Sequence, residues 1–165
     1  MRWLLWLLLS SAVLAQTLKA LDGRSVSLEE LRKSGRPLLL MTWCSHCSCC
    51  RSGEGQLLAL SQRYPQLQVR ALDAQWGDDT AQVQRYLKKK RLDLPVLFDP
   101  QGQLCRFLGV RTSTTALLWD AQGQLRYFGN LKQLPKAVQQ MTQGQPISPA
   151  STPQQGCAIL FSNRL

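Results

Sequence analysis

The chain has 165 residues, six of them cysteines, and a formal net charge of +10. This length suits one hydrophobic core and leaves no room for a second large domain. The basic residues are spread along the chain apart from residues 88–91, which end a predicted helix and complement its dipole there. We therefore expect no nucleic-acid partner, and a contact of residues 88–91 with a lipid or polyanion is the minor alternative.

The first fifteen residues have the pattern of a secretory signal peptide. Arg2 precedes an apolar run, and Val13 and Ala15 stand three and one residues before a predicted cleavage ahead of Gln16. We therefore expect a signal peptide over residues 1–15 and a periplasmic or secreted protein. Contact with a membrane is expected only if this segment stays uncleaved, since no later segment is apolar for long enough to span a bilayer.

The rest of the chain alternates strands and helices, and we expect one domain over residues 16–143. Asp22-Gly23 predicts a tight turn, and Ser27 with Glu30 three residues later predicts a capping box. The predicted strands cover residues 37–43, 67–73, 94–98, 116–119 and 124–128, and the predicted helices cover residues 44–64, 79–87, 104–108 and 131–141. This order predicts an α/β fold with a central mixed sheet and helices on both faces. Residues 144–165 are expected to form a C-terminal arm that carries Cys157.

Cys44-Ser45-His46-Cys47 follows the first long apolar strand at once and is a candidate redox site. We expect the following helix to begin at Cys44, where its N–H groups would stabilise a thiolate, the nucleophilic form of cysteine. Cys44 is then expected to attack, Cys47 to resolve the mixed disulfide, and His46 to lower the thiol pKa. A purely structural disulfide across two residues would close too small a loop to stabilise the fold much.

Four segments resemble exported redoxins of the TlpA and AhpC/TSA-related type. They are residues 21–28, the Trp43-Cys44-x-x-Cys47 motif after a buried strand, residues 94–102, and residues 109–123, which begin Gly-Val-Arg-Thr-Ser-Thr-Thr where the family has G-V-x-x-T-P-T. The resemblance implies a thioredoxin-like fold and exchange with protein thiols and disulfides without a cofactor. It does not indicate the upstream redox partner. It also implies that Trp43, Ser113 and Thr114 contact the substrate.

Thr114 stands where that family usually has a cis-proline. Because a cis bond before a residue other than proline costs about 2.5–4 kcal/mol, we expect a trans peptide here. In the family the proline helps to dock substrate backbone and keeps metals off the cysteine pair. Its replacement therefore leaves open an alternative function, binding of Cu(I) or Zn by Cys44, Cys47, Cys50 and Cys157.

The other cysteines are expected to differ in role. Cys49 and Cys105 are expected to pack as small apolar residues. Cys157 lies in a Gly-Cys-x-Ile ending that resembles some cysteine-rich redoxins, and a free arm could bring it back as a resolving thiol or a ligand. A peroxide reductase is disfavoured, since Thr42 lies two residues before Cys44 where the peroxidatic motif needs three.

Overall fold

A computed structural model describes residues 17–161 as a seven-stranded mixed sheet with five helices. The strands run in the order β2-β1-β5-β4-β3-β6-β7. They are β1 (Thr17–Ala20), β2 (Ser25–Ser27), β3 (Leu38–Trp43), β4 (Gln68–Asp73), β5 (Val96–Phe98), β6 (Ala116–Trp119) and β7 (Leu125–Gly129). The helices are α1 (Leu28–Arg32), α2 (Cys50–Arg63), α3 (Thr80–Lys90), α4 (Gln103–Phe107) and α5 (Leu134–Thr142). The expected signal peptide and its cleavage position lie outside the described residues.

The local signals in the sequence place most element boundaries correctly. The Ser27 side chain accepts a hydrogen bond from the Glu30 backbone, and the Glu30 carboxylate accepts one from the Ser27 backbone, both at 3.0 Å. This is the predicted capping box. Asp79 caps α3 in the same way by accepting from the backbone of Gln82 at 2.7 Å. The predicted α/β fold is confirmed.

The central strand β3 divides the core between the two faces of the sheet, because successive side chains point in opposite directions. Leu39, Met41 and Trp43 belong to one apolar cluster, to which α2, α3 and α5 contribute. Leu38 and Leu40 belong to the other, to which α1 and α4 contribute. β3 runs parallel to β4 and pairs Trp43 with Asp73 at their carboxyl ends. The cysteine segment therefore begins at the carboxyl ends of two central strands, where side chains from both strands meet.

The expectation that a helix begins at Cys44 is wrong. Residues 44–49 form turns and α2 begins at Cys50, so Cys44 is not the first residue of the helix. The Cys50 N–H bonds to the Cys47 carbonyl at 3.1 Å, a turn contact, and the Cys44 N–H donates to the Cys50 Sγ at 3.4 Å. The serine, histidine and cysteine residues at positions 44–49 are weaker helix formers than the residues that follow Gly55. This difference favours the start of α2 at Cys50 rather than at Cys44.

The C-terminal arm returns across the molecule after α5. One isolated bridge joins Ser151 to Phe128, and another joins Ala158 to Thr112. The arm is pinned to the body on both sides of Cys157, so the sequence-based picture of a conformationally free arm is wrong. Among the described residues, no helix is both long and apolar enough to cross a bilayer.

Candidate active site

The loop before β6 packs directly on the end of β3 and faces the cysteine turns. The Thr114 N–H donates to the Thr42 carbonyl at 2.6 Å, and the Thr42 N–H donates to the Thr115 carbonyl at 3.0 Å. The Thr42 hydroxyl is buried and donates to the Thr112 carbonyl at 2.8 Å. This hydroxyl is thus occupied inside the fold.

Five of the six cysteines meet at this point, in two groups of three that share Cys47. In each group the sulfur atoms all lie within 4.8 Å of one another. The first group is Cys44, Cys47 and Cys50, and the second is Cys47, Cys49 and Cys157. Cys105 is fully buried on the other side of the sheet, as its apolar surroundings in the sequence predicted.

Cys47 is the half-buried thiol at the centre of these contacts. Burial alone would raise the pKa of Cys47, but hydrogen bonds from Cys157, Cys49 and Ser113 outweigh it and lower the pKa to about 6. The Ser113 hydroxyl lies 3.5 Å from the Cys47 Sγ. A thiol with this pKa is mostly thiolate at neutral pH and is therefore nucleophilic.

Cys44 and Cys50 are both buried, and the contact between their thiols shifts their pKa values in opposite directions. A hydrogen bond from the Cys50 thiol lowers the pKa of Cys44, while the same bond and burial raise the pKa of Cys50. Cys44 therefore has a thiol donor beside it that supports its thiolate. Cys50, at the start of α2, keeps its proton.

An open cleft of about 510 Å³ gives access to Cys44 and Cys47. Its rim carries two large apolar side chains that face solvent, Trp76 at 64% and Leu160 at 61% exposure. The backbone N–H of Trp76 donates to the Leu160 carbonyl at 2.7 Å, and this bond holds the arm to the loop after β4. The arm thus forms one wall of the cleft.

His46 also lines the cleft, but its imidazole is engaged by an acid. Its Nδ1 lies 3.1 Å from an Asp78 carboxylate oxygen, and its Nε2 contacts the amide of Gln82. The imidazole side chain is 54% exposed. The expected role of His46 in lowering the thiol pKa stays a prediction, and this partner carboxylate would offset the positive charge on which that role depends.

Asp73 is a buried carboxylate near the thiols that the sequence interpretation missed. Burial first, and then the charge of Asp78, raise the pKa of Asp73 to about 8, and the charge of Cys44 adds to the effect. One oxygen of Asp73 and one of Asp78 are buried without a hydrogen-bond partner. A proton held between the two carboxylates would satisfy both oxygens. The available signal was the position of Asp73 at the carboxyl end of the strand parallel to β3.

The residues expected to contact substrate lie in closed surroundings. Trp43 is 1% exposed, and its indole N–H donates to Glu54 at 2.9 Å, so its ring packs in the core. The Ser113 N–H donates to the Cys157 carbonyl, and the Thr114 hydroxyl donates to the Gln155 carbonyl. The arm therefore covers the loop that was expected to dock substrate. The Ser113–Thr114 peptide is trans, as expected, and Thr114 has φ of +65°.

The side chains of Cys49 and Cys157 contact each other, which the sequence analysis did not predict. Cys49 packs against the edge of the core, but its Sγ also lies 3.0 Å from the Cys157 Sγ and 3.2 Å from the Ser113 hydroxyl. The expectation that Cys49 serves only as packing is therefore incomplete. Cys157 is brought back to the site, and its bonds toward Cys47 and Cys49 raise its pKa to about 12.

The sequence of the chain matches one protein family over most of its length. A sequence model of the AhpC/TSA family matches residues 10–128. Among curated proteins, none matches the chain significantly.

Solved structures share the fold at low sequence identity. A conserved protein from Geobacillus kaustophilus is 18% identical, with a TM-score of 0.80 and coverage of 92% of each chain. A secreted Mycobacterium tuberculosis disulfide oxidoreductase, homologous to E. coli DsbE, is 20% identical with a TM-score of 0.64, over 78% of this chain and 98% of that one. A thioredoxin-like protein from Aeropyrum pernix is 17% identical with a TM-score of 0.67, over 81% and 93%. These similarities establish the thioredoxin-like fold that the sequence predicted.

Proposed function

The chain belongs to the AhpC/TSA family and has a thioredoxin-like fold, and on this premise we propose that it is an exported thiol–disulfide oxidoreductase. The observation that carries the proposal is the Cys44–Cys47 pair, whose sulfurs lie within 4.8 Å of each other at an open cleft. The pKa of about 6 at Cys47 supplies the thiolate that exchange needs. The substrates are disulfides and thiols of other proteins.

The proposed reduction runs through a mixed disulfide. The Cys47 thiolate attacks one sulfur of the substrate disulfide, and the other substrate sulfur leaves as a thiolate. Cys44, supported as a thiolate by the Cys50 thiol, then attacks Cys47 Sγ and releases the second substrate sulfur. Two electrons have passed to the substrate, and the protein holds a Cys44–Cys47 disulfide. Oxidation of a substrate dithiol is the same sequence in reverse.

This order of attack reverses the one expected from the sequence. Cys44 was expected to attack because a helix was expected to begin there, and α2 begins six residues later. Cys47 is half-buried whereas Cys44 is 8% exposed, so a bulky protein substrate reaches Cys47 more easily. Exposure and thiolate character both support Cys47 as the attacking sulfur.

Trp76 and Leu160 suit a polypeptide substrate. Apolar side chains that stand exposed beside a reactive site can bury themselves against a bound chain, and this burial stabilises the complex. We place an extended substrate segment along the cleft between these two residues, with its disulfide over Cys47. Such a surface recognises apolar residues near a disulfide without requiring one particular sequence.

The proposal is tested by reduction of a model protein disulfide, such as insulin, with dithiothreitol as the electron source. Cys47→Ser is expected to lose catalysis completely, and Cys44→Ser to lose most of it. Cys105→Ser is the matched control, since Cys105 is buried away from the cleft, and it should retain wild-type catalysis. A Cys47→Ser variant that is folded and fully active would overturn the assignment, as would a wild-type protein without catalysis.

Export is part of the proposal and rests on the first fifteen residues, together with the secreted Mycobacterium tuberculosis protein that shares the fold. An oxidising compartment lets disulfide chemistry of this kind persist. Fractionation of cells that express the full chain tests it. A cleaved protein outside the cytoplasm is expected, and a full-length cytoplasmic protein would contradict export.

A second candidate function is binding of Cu(I) or Zn, favoured by the two groups of three cysteines. Thiolates select these soft metals, and Cys47, Cys49 and Cys157 come from two separate segments that can close around an ion. Cys44 and Cys50 would be further ligands in the first group. Titration of the reduced protein with Cu(I) against a competing chelator tests this, with Cys105→Ala as control. Tight one-to-one binding that is lost in Cys157→Ala supports it, and equal affinity in both variants rejects it.

A further inference from the structure

Cys49 and Cys157 form a dithiol that the proposed exchange does not use. Their sulfurs lie 3.0 Å apart, and the Cys157 backbone N–H donates to the Cys49 Sγ at 3.4 Å. A disulfide has a sulfur separation of about 2.05 Å, so a movement of about 1 Å would join them. Two such thiols beside a redox pair are a candidate for a second couple.

The contact between Cys49 and Cys157 is built into the fold. The Cys157 carbonyl accepts from the Ser113 N–H at 2.8 Å, and the Ile159 N–H donates to the Arg111 carbonyl at 3.0 Å. On the other side of Cys157, the Gln155 carbonyl accepts from the Thr114 hydroxyl at 2.7 Å. These bonds fix the backbone of the arm on both sides of the cysteine.

Gly156 allows this close approach. Its φ is +143°, and a Cβ added there would stand 1.9 Å from the Ser113 carbonyl oxygen. No other residue type fits this position without moving the arm. Gly129 has a similar relation to Thr152 earlier in the arm, where an added Cβ would stand 2.0 Å from the threonine hydroxyl. The glycine directly before Cys157 thus lets the arm contact the loop that lies beside Cys47.

Cys47 connects the two dithiols. It belongs to both groups of three sulfurs, whereas Cys44 belongs to one and Cys49 and Cys157 belong to the other. An exchange between the two dithiols therefore has a direct route through the Cys47 sulfur.

We propose that Cys49 and Cys157 are a second redox-active pair, which reduces the Cys44–Cys47 disulfide through Cys47. This inference rests on the proposed function, because that exchange is what produces the Cys44–Cys47 disulfide. It adds two electrons to the capacity of the protein, so one fully reduced molecule reduces two substrate disulfides.

The exchange takes two balanced steps. The Cys157 thiolate attacks the Cys47 Sγ, the Cys47–Cys157 bond forms, and Cys44 leaves as a thiolate that takes up a proton. The Cys49 thiolate then attacks the Cys157 Sγ, and Cys47 leaves as a thiolate. Two electrons have moved from the second pair to the first, the protons lost by Cys157 and Cys49 have passed to Cys44 and to solvent, and no other reactant is consumed.

Disulfide mapping tests the second pair. The reduced, metal-free protein is treated with one equivalent of oxidised glutathione or with an excess, quenched in acid, alkylated, digested with trypsin and mapped by mass spectrometry. Trypsin leaves Cys157 on a different peptide from Cys44, Cys47, Cys49 and Cys50, so any crosslink between these peptides reports on Cys157. With one equivalent, we expect a Cys49–Cys157 crosslink in part of the protein. With an excess, we expect both disulfides, with Cys50 and Cys105 left as free thiols.

Two variants identify the path. Cys157→Ser should hold only the Cys44–Cys47 disulfide and release half as many electrons to a substrate as the wild type. Cys49→Ser should accumulate the Cys47–Cys157 intermediate, because the thiol that completes the exchange is missing. Cys105→Ser should match the wild type in both measurements.

The failure of this inference is distinct from the failure of the proposed function. If excess oxidant forms Cys44–Cys47 while Cys49 and Cys157 remain free, the second pair is rejected and the proposed function stands. If Cys49–Cys157 forms in the wild type but Cys49→Ser gives no Cys47–Cys157 bond, the route through Cys47 is rejected. If no Cys44–Cys47 disulfide forms, both proposals are rejected.

Discussion

Cys49 and Cys157 are separated by 107 residues in the chain, yet their sulfur atoms lie 3.0 Å apart. The contact exists because the C-terminal arm crosses β7 and then follows the loop before β6 to the mouth of the cleft. The arm thereby closes one side of the site and supplies a hydrogen-bond donor to Cys47. The reactivity of the Cys44–Cys47 pair therefore depends on a segment far from it in the sequence.

The ionisation of Cys47 should depend on Cys157. The thiolate absorbance at 240 nm is measured in the wild type and in Cys47→Ser, and the difference between them is assigned to Cys47. This difference should rise with pH around a midpoint of about 6. Cys157→Ala removes the strongest hydrogen bond that lowers this pKa, so the midpoint should move to higher pH. Cys105→Ala is the control and should leave the midpoint in place. An unchanged midpoint in Cys157→Ala would show that the arm does not tune Cys47.

Gly156→Ala should separate the arm from the site while keeping every thiol. The added Cβ would collide with the Ser113 carbonyl, and the positive φ adds strain of about 1–3 kcal/mol. We expect a lower melting temperature and slower formation of the Cys49–Cys157 disulfide. Gly55→Ala is the matched control, since nothing lies within 4 Å of its added Cβ, and the helix should be unharmed. Equal rates of disulfide formation in the two variants would contradict the role given to the arm.

The Asp73→Asn variant should be more stable than the wild type, and the difference in the free energy of unfolding should increase with pH. The folded pKa of Asp73 is raised from 3.8 to about 8, so the folded state retains a proton that the unfolded state loses in this range. Stability linked to this group is therefore complete below pH 4 and is lost as the pH rises from 4 to about 8. Asparagine still accepts from Gln75 and removes the ionisation. Chemical denaturation across pH 5–8 should give a widening gain for the variant, and a constant difference would contradict the raised pKa.

Glu54→Ala should destabilise the fold, because one carboxylate oxygen accepts from both Trp43 and Tyr86 at 2.9 Å. A buried donor without an acceptor costs about 1–3 kcal/mol, and Trp43 is fully enclosed. Glu54→Gln keeps an acceptor oxygen and should lose much less stability. The free energies of unfolding of the two variants measure the difference. Equal losses in both would show that charge, rather than hydrogen bonding, matters at this position.

Trp76→Ala should weaken substrate binding without changing the thiols. Loss of an exposed indole that packs on a bound chain should raise KM for a protein disulfide about tenfold, equivalent to about 1.4 kcal/mol. The pKa of Cys47 should stay the same, since Trp76 is not among the groups that shift it. Leu125→Ala is the control, because Leu125 is also exposed but lies in β7 and does not line the cleft. A change in kcat with unchanged KM would contradict the docking role of Trp76.

The sequence predicted the architecture well because its local signals agree with one another. The run over β3, the capping box at Ser27 and the cap at Asp79 each place an element independently of the rest of the chain. The start of α2 was mispredicted, because residues between Cys44 and Cys50 form turns whose bonds involve a cysteine side chain. The contact between Cys49 and Cys157 depends on the path of the arm, and no local pattern encodes a pairing across such a distance. Asp73 was overlooked because its charge matters only after burial beside Asp78.

The most direct test of the account is equilibrium oxidation of the Cys44–Cys47 pair in glutathione buffers of graded potential, with a chelator present. After acid quench and alkylation, the oxidised fraction of these two cysteines is measured by mass spectrometry. The account predicts a reversible two-electron transition that is retained in Cys49→Ser/Cys157→Ser and lost in Cys47→Ser. A pair that stays entirely reduced or entirely oxidised across the whole range of buffers would contradict a role in thiol–disulfide exchange.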